Sequence, residues 1–201
     1  MIIDLNNALT LISSFSPKQA EALSVKKGVE EETGSIMAHL QDSATVPLPA
    51  ELAHYITHLC PTDGLTIEAV GHPVELLKDS QLSWQPPMFA ELTGELANWQ
   101  SDWLLIAHEG GDPIIIKAAE QGEFSTVYSA MQGMGFWDFA PIADSIGQFL
   151  VCICAIEHAL NFPGLNQPLD DDFNLAPAAA NWLFPFLRKH AGHYYDEWAS
   201  V

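Results

Sequence analysis

Residues 103–118, WLLIAHEGGDPIIIKA, decide how this chain folds. Trp103 to Ala107 is a continuous apolar run of strand length, and Pro113 to Ala118 is a second one. Between them, His108-Glu109-Gly110-Gly111-Asp112 is turn chemistry: paired glycines give tight backbone geometry, and Asp112 before Pro113 suits turn initiation. The two runs therefore predict a β-hairpin. Further on, Gly122 and Glu123 break the chain, and Ser125 to Met131 (STVYSAM) reads as a third strand. Consecutive strands with short turns make an antiparallel meander whose apolar face needs a cover. The next segment supplies one: a helix predicted from about Pro141 to Leu160, with Ile142, Ile146, Phe149, Leu150, Ile153 and Ile156 as its apolar stripe.

Upstream, Pro49-Ala50-Glu51 opens a helix with Leu52, Tyr55, Ile56 and Leu59 on one face, stopping at Cys60-Pro61. Leu65 to Val70 alternates as a strand does, and residues 71–98, with Pro73, Pro86 and Pro87, read as irregular. Residues 2–15 have helical spacing. A further helix is predicted from Ser16, with Ser16 as cap, Pro17 in the first turn, Gln19 closing a capping box and Gly28 at its end. Another runs through Ile36, Met37 and Leu40. After residue 161 come a solvated loop over 162–176 and a helix over 177–190 that Pro185 should kink or divide. The fold class is α+β: an antiparallel or mixed sheet covered by helices, with a helical N-terminal extension over 1–46, a core over 47–161, and a loop and helical tail over 162–201 packed on that core.

Composition narrows the function. Apolar residues make up 48% of the 201 residues, enough for a globular core. Only 7 residues are Lys or Arg against 26 Asp or Glu, a net charge of -19. Such a surface repels phosphate backbones and anionic lipid heads, so neither nucleic acid nor membrane is an expected partner, whereas basic proteins and cations are attracted. The odd count of three cysteines (Cys60, Cys152, Cys154) argues against a disulfide framework. Asp4 interrupts the apolar N-terminal stretch, which lacks the basic region of a signal peptide. These features predict a cytoplasmic protein; its oligomeric state is left open.

The motifs that carry chemistry are weak. His54 and His58 have a zinc-binding spacing, but Tyr55 stands where a metalloprotease helix has Glu, so two solvent-facing histidines are the expectation. Cys152 and Cys154 fall on different faces of a helix and read as core residues. Asp170, Asp172 and Asn174 imitate the start of a calcium loop, yet Leu175 and Asn181 occupy the positions that need Gly and Glu. Gly133-Met134-Gly135 lacks the third glycine of a dinucleotide fingerprint. No metal or other cofactor and no catalytic residue is assigned. His190, His193, Tyr194, Tyr195 and Asp196 read either as a partner-facing patch or as a tail packed on the core. The turn at 108–112 is accounted for by structure alone; alternatively His108 and Glu109, with Trp137 and Asp138, form the polar and aromatic rim of a binding patch.

The run from Trp99 to Leu150 resembles the SUKH superfamily, the Smi/Knr-like domain. The resemblance lies in an apolar strand ending before Gly110-Gly111-Asp112, a second apolar strand, a strand with Val127-Tyr128, Trp137, and a helix written IADSIGQFL. VPLPAELAHYI resembles the helix ahead of the sheet in that family. Pro61-Thr62-Asp63-Gly64 departs from the family's usual turn, and the segments before residue 47 and after Asn161 have no counterpart. The resemblance implies a SUKH-like α+β core over 47–161 and a non-enzymatic protein-binding role, above all that of a bacterial immunity protein neutralising a cognate toxin. An acidic protein of this kind suits a basic toxin. Glu109, Asp112, Trp137 and Asp138 are the expected partner-binding residues, with Asp112 equally open to an architectural role. A regulatory scaffold and an unrecognised metal-assisted enzyme, through His54, His58 or His108, are the other readings.

Overall fold

Strand pairing runs in simple sequence order. A computed structural model describes residues 2–24, 30–44, 46–84, 99–130, 137–170 and 174–200. Six antiparallel strands form one sheet in the order β1 to β6: Leu65–Ile67, Val74–Leu76, Trp103–Glu109, Asp112–Lys117, Val127–Ser129 and Ala140–Ala143. Gly110 and Gly111 have φ of +55° and +102°, the left-handed backbone of a two-residue hairpin turn between β3 and β4. Glu109 and Asp112 therefore belong to the strands and face each other across the hairpin.

Cross-strand partners point to the same side of a sheet, so register sorts the two faces. Ile67, Val74 and Glu109 are aligned on one face; Leu76, Ala107, Ile114 and Ser129 lie beside them. The apolar members of both rows are buried. Their cover is α5, Ile146–Leu160. The opposite face carries Leu105, Ile115 and Tyr128 in register, with Trp103 opposite Lys117. There, Phe139 packs on the ring of Trp103 at 4.8 Å, and Trp99 on Trp103 at 5.7 Å. The Lys117 ammonium sits 3.8 Å above the Tyr128 ring. Indole donors anchor this cluster: Trp99 Nε1 donates to the Trp84 carbonyl (2.7 Å), and Trp84 Nε1 to the Leu40 carbonyl (3.0 Å).

Among the described residues, four helices precede the sheet: α1 Leu5–Phe15, α2 Pro17–Ser24, α3 Glu30–Ser43 and α4 Ala50–His58. The helical N-terminal region packs into the centre of the molecule, with Ile3, Leu5, Ala8 and Ile12 in the same apolar cluster as the sheet and α5. Two further helices, α6 Pro177–His190 and α7 Tyr195–Trp198, close the chain; α6 packs on α5 through Ala179, Leu183 and Leu187.

Several expectations change on contact with the structure. Residues 140–143 are strand β6, and α5 begins only after Ser145, whose Oγ accepts from the Gln148 amide at 2.9 Å. Flanked by the sheet, α1 and α6, α5 is buried almost all round, beyond a single stripe. Gln19 closes no capping box; its Nε2 instead donates to Glu157 at 2.7 Å. Residues 74–76 form a strand inside the stretch read as irregular. Pro185 is accommodated within α6 without dividing it. The expectations for Gly28, Pro86, Pro87 and Gly133 to Gly135 lie outside the described residues, as does Asp172.

Candidate functional site

A cleft of about 260 Å³ opens where the α5-covered face of the sheet meets α5 and the end of the chain. The sheet contributes Val74, Ile114 and Ser129, and α5 contributes Phe149, Ile153 and Ile156. Trp198 closes a further wall. Its Nε1 donates to the Ile142 carbonyl at 2.8 Å, and its ring lies 6.1 Å from that of Phe149, so the short helix α7 is fastened to β6. Glu197 precedes it and also lines the cleft, as does Glu109 from the end of β3. The result is a largely apolar recess with two carboxylates among its lining residues.

Glu109 is half-buried, and its side chain makes no ion pair or hydrogen bond among the described residues. Burial pushes its pKa above the usual carboxylate value, the facing charge of Asp112 adds to the rise, and His72 offsets part of it. His72 packs against the turn so closely that a Cβ on Gly110 would stand 2.7 Å from its ring. Burial also raises the pKa of partly buried Glu157 and of buried Glu51, but both of these have hydrogen-bond donors. Glu157 accepts from Gln19 at 2.7 Å, and Glu51 accepts three backbone amides.

Glu109→Gln is therefore expected to stabilise the protein at neutral pH. The folded-state pKa of Glu109 lies above the unfolded value, so its contribution to stability is fully present below 4.5 and is lost as pH rises through the folded value. Removing the ionisation should raise the thermal midpoint at about pH 7.5, with the gain shrinking to nothing near pH 4. His158 and His190, lowered by burial, titrate in the opposite sense and cancel in the comparison of variant with parent. A variant with no gain at neutral pH would mean that the carboxylate is fully hydrated.

Of the four expected partner-binding residues, the fold brings Glu109 and Asp112 together as cross-strand neighbours. Trp137 is not part of a rim. It is only 4% exposed, and it is stacked on Phe139 and edge-on to Trp99, in the aromatic cluster on the face away from α5. Asp138 is exposed beside it. His108 is 3.7 Å from Glu75, also on the face away from α5. His54 and His58 are both exposed, while the three cysteines are free and buried. Burial pushes the Cys152 and Cys154 thiols up, away from reactive thiolate. Asp170 accepts from the Asn174 amide at 2.8 Å, a local turn contact. The C-terminal cluster divides: His190 and Tyr194 are buried, and His193 is exposed. Among the described residues no three His, Cys, Asp or Glu side chains are grouped to hold a metal ion. No described helix is long and apolar enough to cross a membrane.

Compared with family models, curated proteins and solved structures, the chain matches none. The site must therefore be read from its own chemistry. Sequence reasoning missed Glu197 and Trp198. The signal was the density of aromatic and acidic residues from His193 to Trp198, whose last two members are the ones that reach the cleft.

Proposed function

We propose that this chain is a binding module for a basic protein, an immunity protein that neutralises a cognate toxin by covering its active surface. The observation that carries the reading is the acidic cleft: Glu109 and Glu197 border an apolar recess, on a chain whose net charge is -19. An apolar core with a charged rim is how protein interfaces combine affinity with partner choice. The long-range field adds encounter speed and rejects acidic competitors. The resemblance of residues 99–150 to the SUKH superfamily supports the same reading. Binding needs no reacting group, and the mechanism is occlusion, in which the toxin's substrate surface is replaced by the acidic face.

The purified protein used as bait in lysate of the source organism tests this. The expected result is retention of one basic protein at ~0.1 M salt and its loss at ~1 M, where the Debye length falls from ~10 to ~3 Å. Retention of an acidic or neutral housekeeping protein regardless of salt would overturn the toxin reading in favour of a scaffold.

A further inference from the structure

The cleft combines three properties that select the chemistry of its occupant. Its walls are apolar and in part aromatic, through Ile153, Phe149 and Trp198. Its rim has two carboxylates, Glu109 and Glu197, and among the described residues no Lys or Arg lines it. One of those carboxylates, Glu109, is half-withdrawn from water with no hydrogen-bond donor among the described residues, and the charge of His72 offsets only part of the cost of its burial. Burying a charge without a partner costs stability, and a cation arriving from outside recovers that cost on binding.

Three other recesses among the described residues do not share this pattern, and the one beside Leu40, Leu82 and Trp84 is lined by no carboxylate among those residues. The one beside Ser16, Gln19, Glu68 and Glu157 is polar, and its carboxylates are already engaged: Glu157 accepts from Gln19, and Glu68 accepts from Asn161 Nδ2 at 2.9 Å. The groove beside Leu9, Ser13, Ala20 and Glu21 is shallow and carries a single carboxylate.

We propose that the cleft receives an arginine side chain of the partner protein, its methylene stem against Ile153 and Trp198 and its guanidinium held by Glu109 and Glu197. Arginine fits better than lysine on two grounds. Its guanidinium is planar, stacks on indole faces and is more weakly hydrated than an ammonium, so it loses less on entering an apolar recess. Its donor fork also serves a carboxylate with two parallel hydrogen bonds. An arginine buried in a central pocket of an interface is moreover a frequent energetic anchor.

The inference rests on the proposed function, and the test separates the two. The probe is n-butylguanidinium, with n-butylurea as a neutral isostere, titrated into the full chain while the indole N–H resonance of Trp198 is followed. The expected result is a saturating shift with butylguanidinium, weakened about tenfold by Glu109→Gln and by Glu197→Gln. Butylurea should leave the resonance in place. Equal shifts with butylurea, or unchanged affinity in the Glu109→Gln protein, overturn the proposal. Thermal melts that show Glu109→Gln folded, as its expected stabilisation requires, exclude misfolding as the cause of lost binding. The toxin reading fails on its own terms if the bait retains no salt-sensitive basic protein. The arginine assignment fails separately if a retained basic protein is held equally well by the doubly substituted E109Q/E197Q bait.

Discussion

Glu51→Ala will lower the stability of the fold by about 3 kcal/mol, chiefly by orphaning buried backbone donors. Glu51 belongs to the first turn of α4, yet its carboxylate serves the far side of the core. One oxygen accepts from the Ser125 amide at 2.7 Å and the Ile146 amide at 3.3 Å, and the other from the Gly147 amide at 3.3 Å. Ile146 and Gly147 are the first two residues of α5, and Ser145 supplies the bond to the third amide. Together, Glu51 and Ser145 satisfy three of the four donors that a helix leaves open at its N-terminus. The helix dipole favours a negative charge there, but burial outweighs the three amides and holds the Glu51 pKa above the usual carboxylate value, so the loss on truncation comes from the orphaned donors and not from the charge itself. The side chain is 7% exposed, so water cannot replace it when it is truncated. The two longer bonds contribute less than the short one, which keeps the estimate well below three full charge-assisted bonds. Glu51→Gln should fall between parent and Glu51→Ala, since one carbonyl oxygen remains while the NH₂ group confronts a donor. Urea unfolding with unchanged m-value checks the series. A Glu51→Ala protein within 0.5 kcal/mol of the parent, roughly the effect of an ordinary surface substitution, would show that the carboxylate holds nothing together.

The hairpin at 103–118 was legible because every local signal agrees: apolar runs of strand length, and two adjacent glycines that adopt positive φ. The helix after it was legible in its interior but not at its start. Ala140-Pro141-Ile142-Ala143 continues the apolar spacing of Ile146 and Phe149, and only the pairing with β5 makes it a strand. Strand β2 was hidden for a related reason. Three residues, buried, exposed and buried in turn, are too short a pattern to count, and their stability comes from lying between β1 and β3. Of the site, Glu109 was readable as a turn-flanking acid; Asp112 is its cross-strand neighbour and is not among the residues lining the cleft. Trp137 was misplaced because an indole suits an interface and a core equally, and its burial is decided by Trp99 and Phe139. Glu197 and Trp198 reach the cleft only because the tail is fastened to β6, a contact across 56 residues that no local pattern encodes. Glu51 and Gly147, 96 residues apart, were invisible on the same ground.

Gly147→Ala is expected to destabilise the protein by about 2 kcal/mol, against the usual preference of helices for alanine. Two effects compete. Replacing glycine in a helix gains at most about 1 kcal/mol from propensity. Against it stands a close approach of backbone: a Cβ at position 147 would lie 2.4 Å from the Ile3 carbonyl oxygen and 2.9 Å from the carbonyl carbon and oxygen of Asp4. Those are main-chain atoms, so no rotamer change relieves the clash, and overpacking of this kind costs about 1–3 kcal/mol or more. The segment cannot yield freely. Ser145 Oγ donates to the same Ile3 carbonyl at 2.7 Å, and Asp4 caps α1 by accepting from the Asn7 amide at 2.9 Å. Pushing Ile3 away therefore also strains a buried hydrogen bond worth about 1 kcal/mol. The displaced element is α1, which packs along α5, so amide exchange should accelerate first in residues 5–15 and only later in the sheet. Glu109→Gln, by contrast, should leave α1 exchange unchanged while altering the cleft. A Gly147→Ala protein as stable as the parent would mean that α1 enters farther from α5 than 2.4 Å to the added Cβ allows, and the buried junction that sets the position of α5 behind the cleft would have to be redrawn.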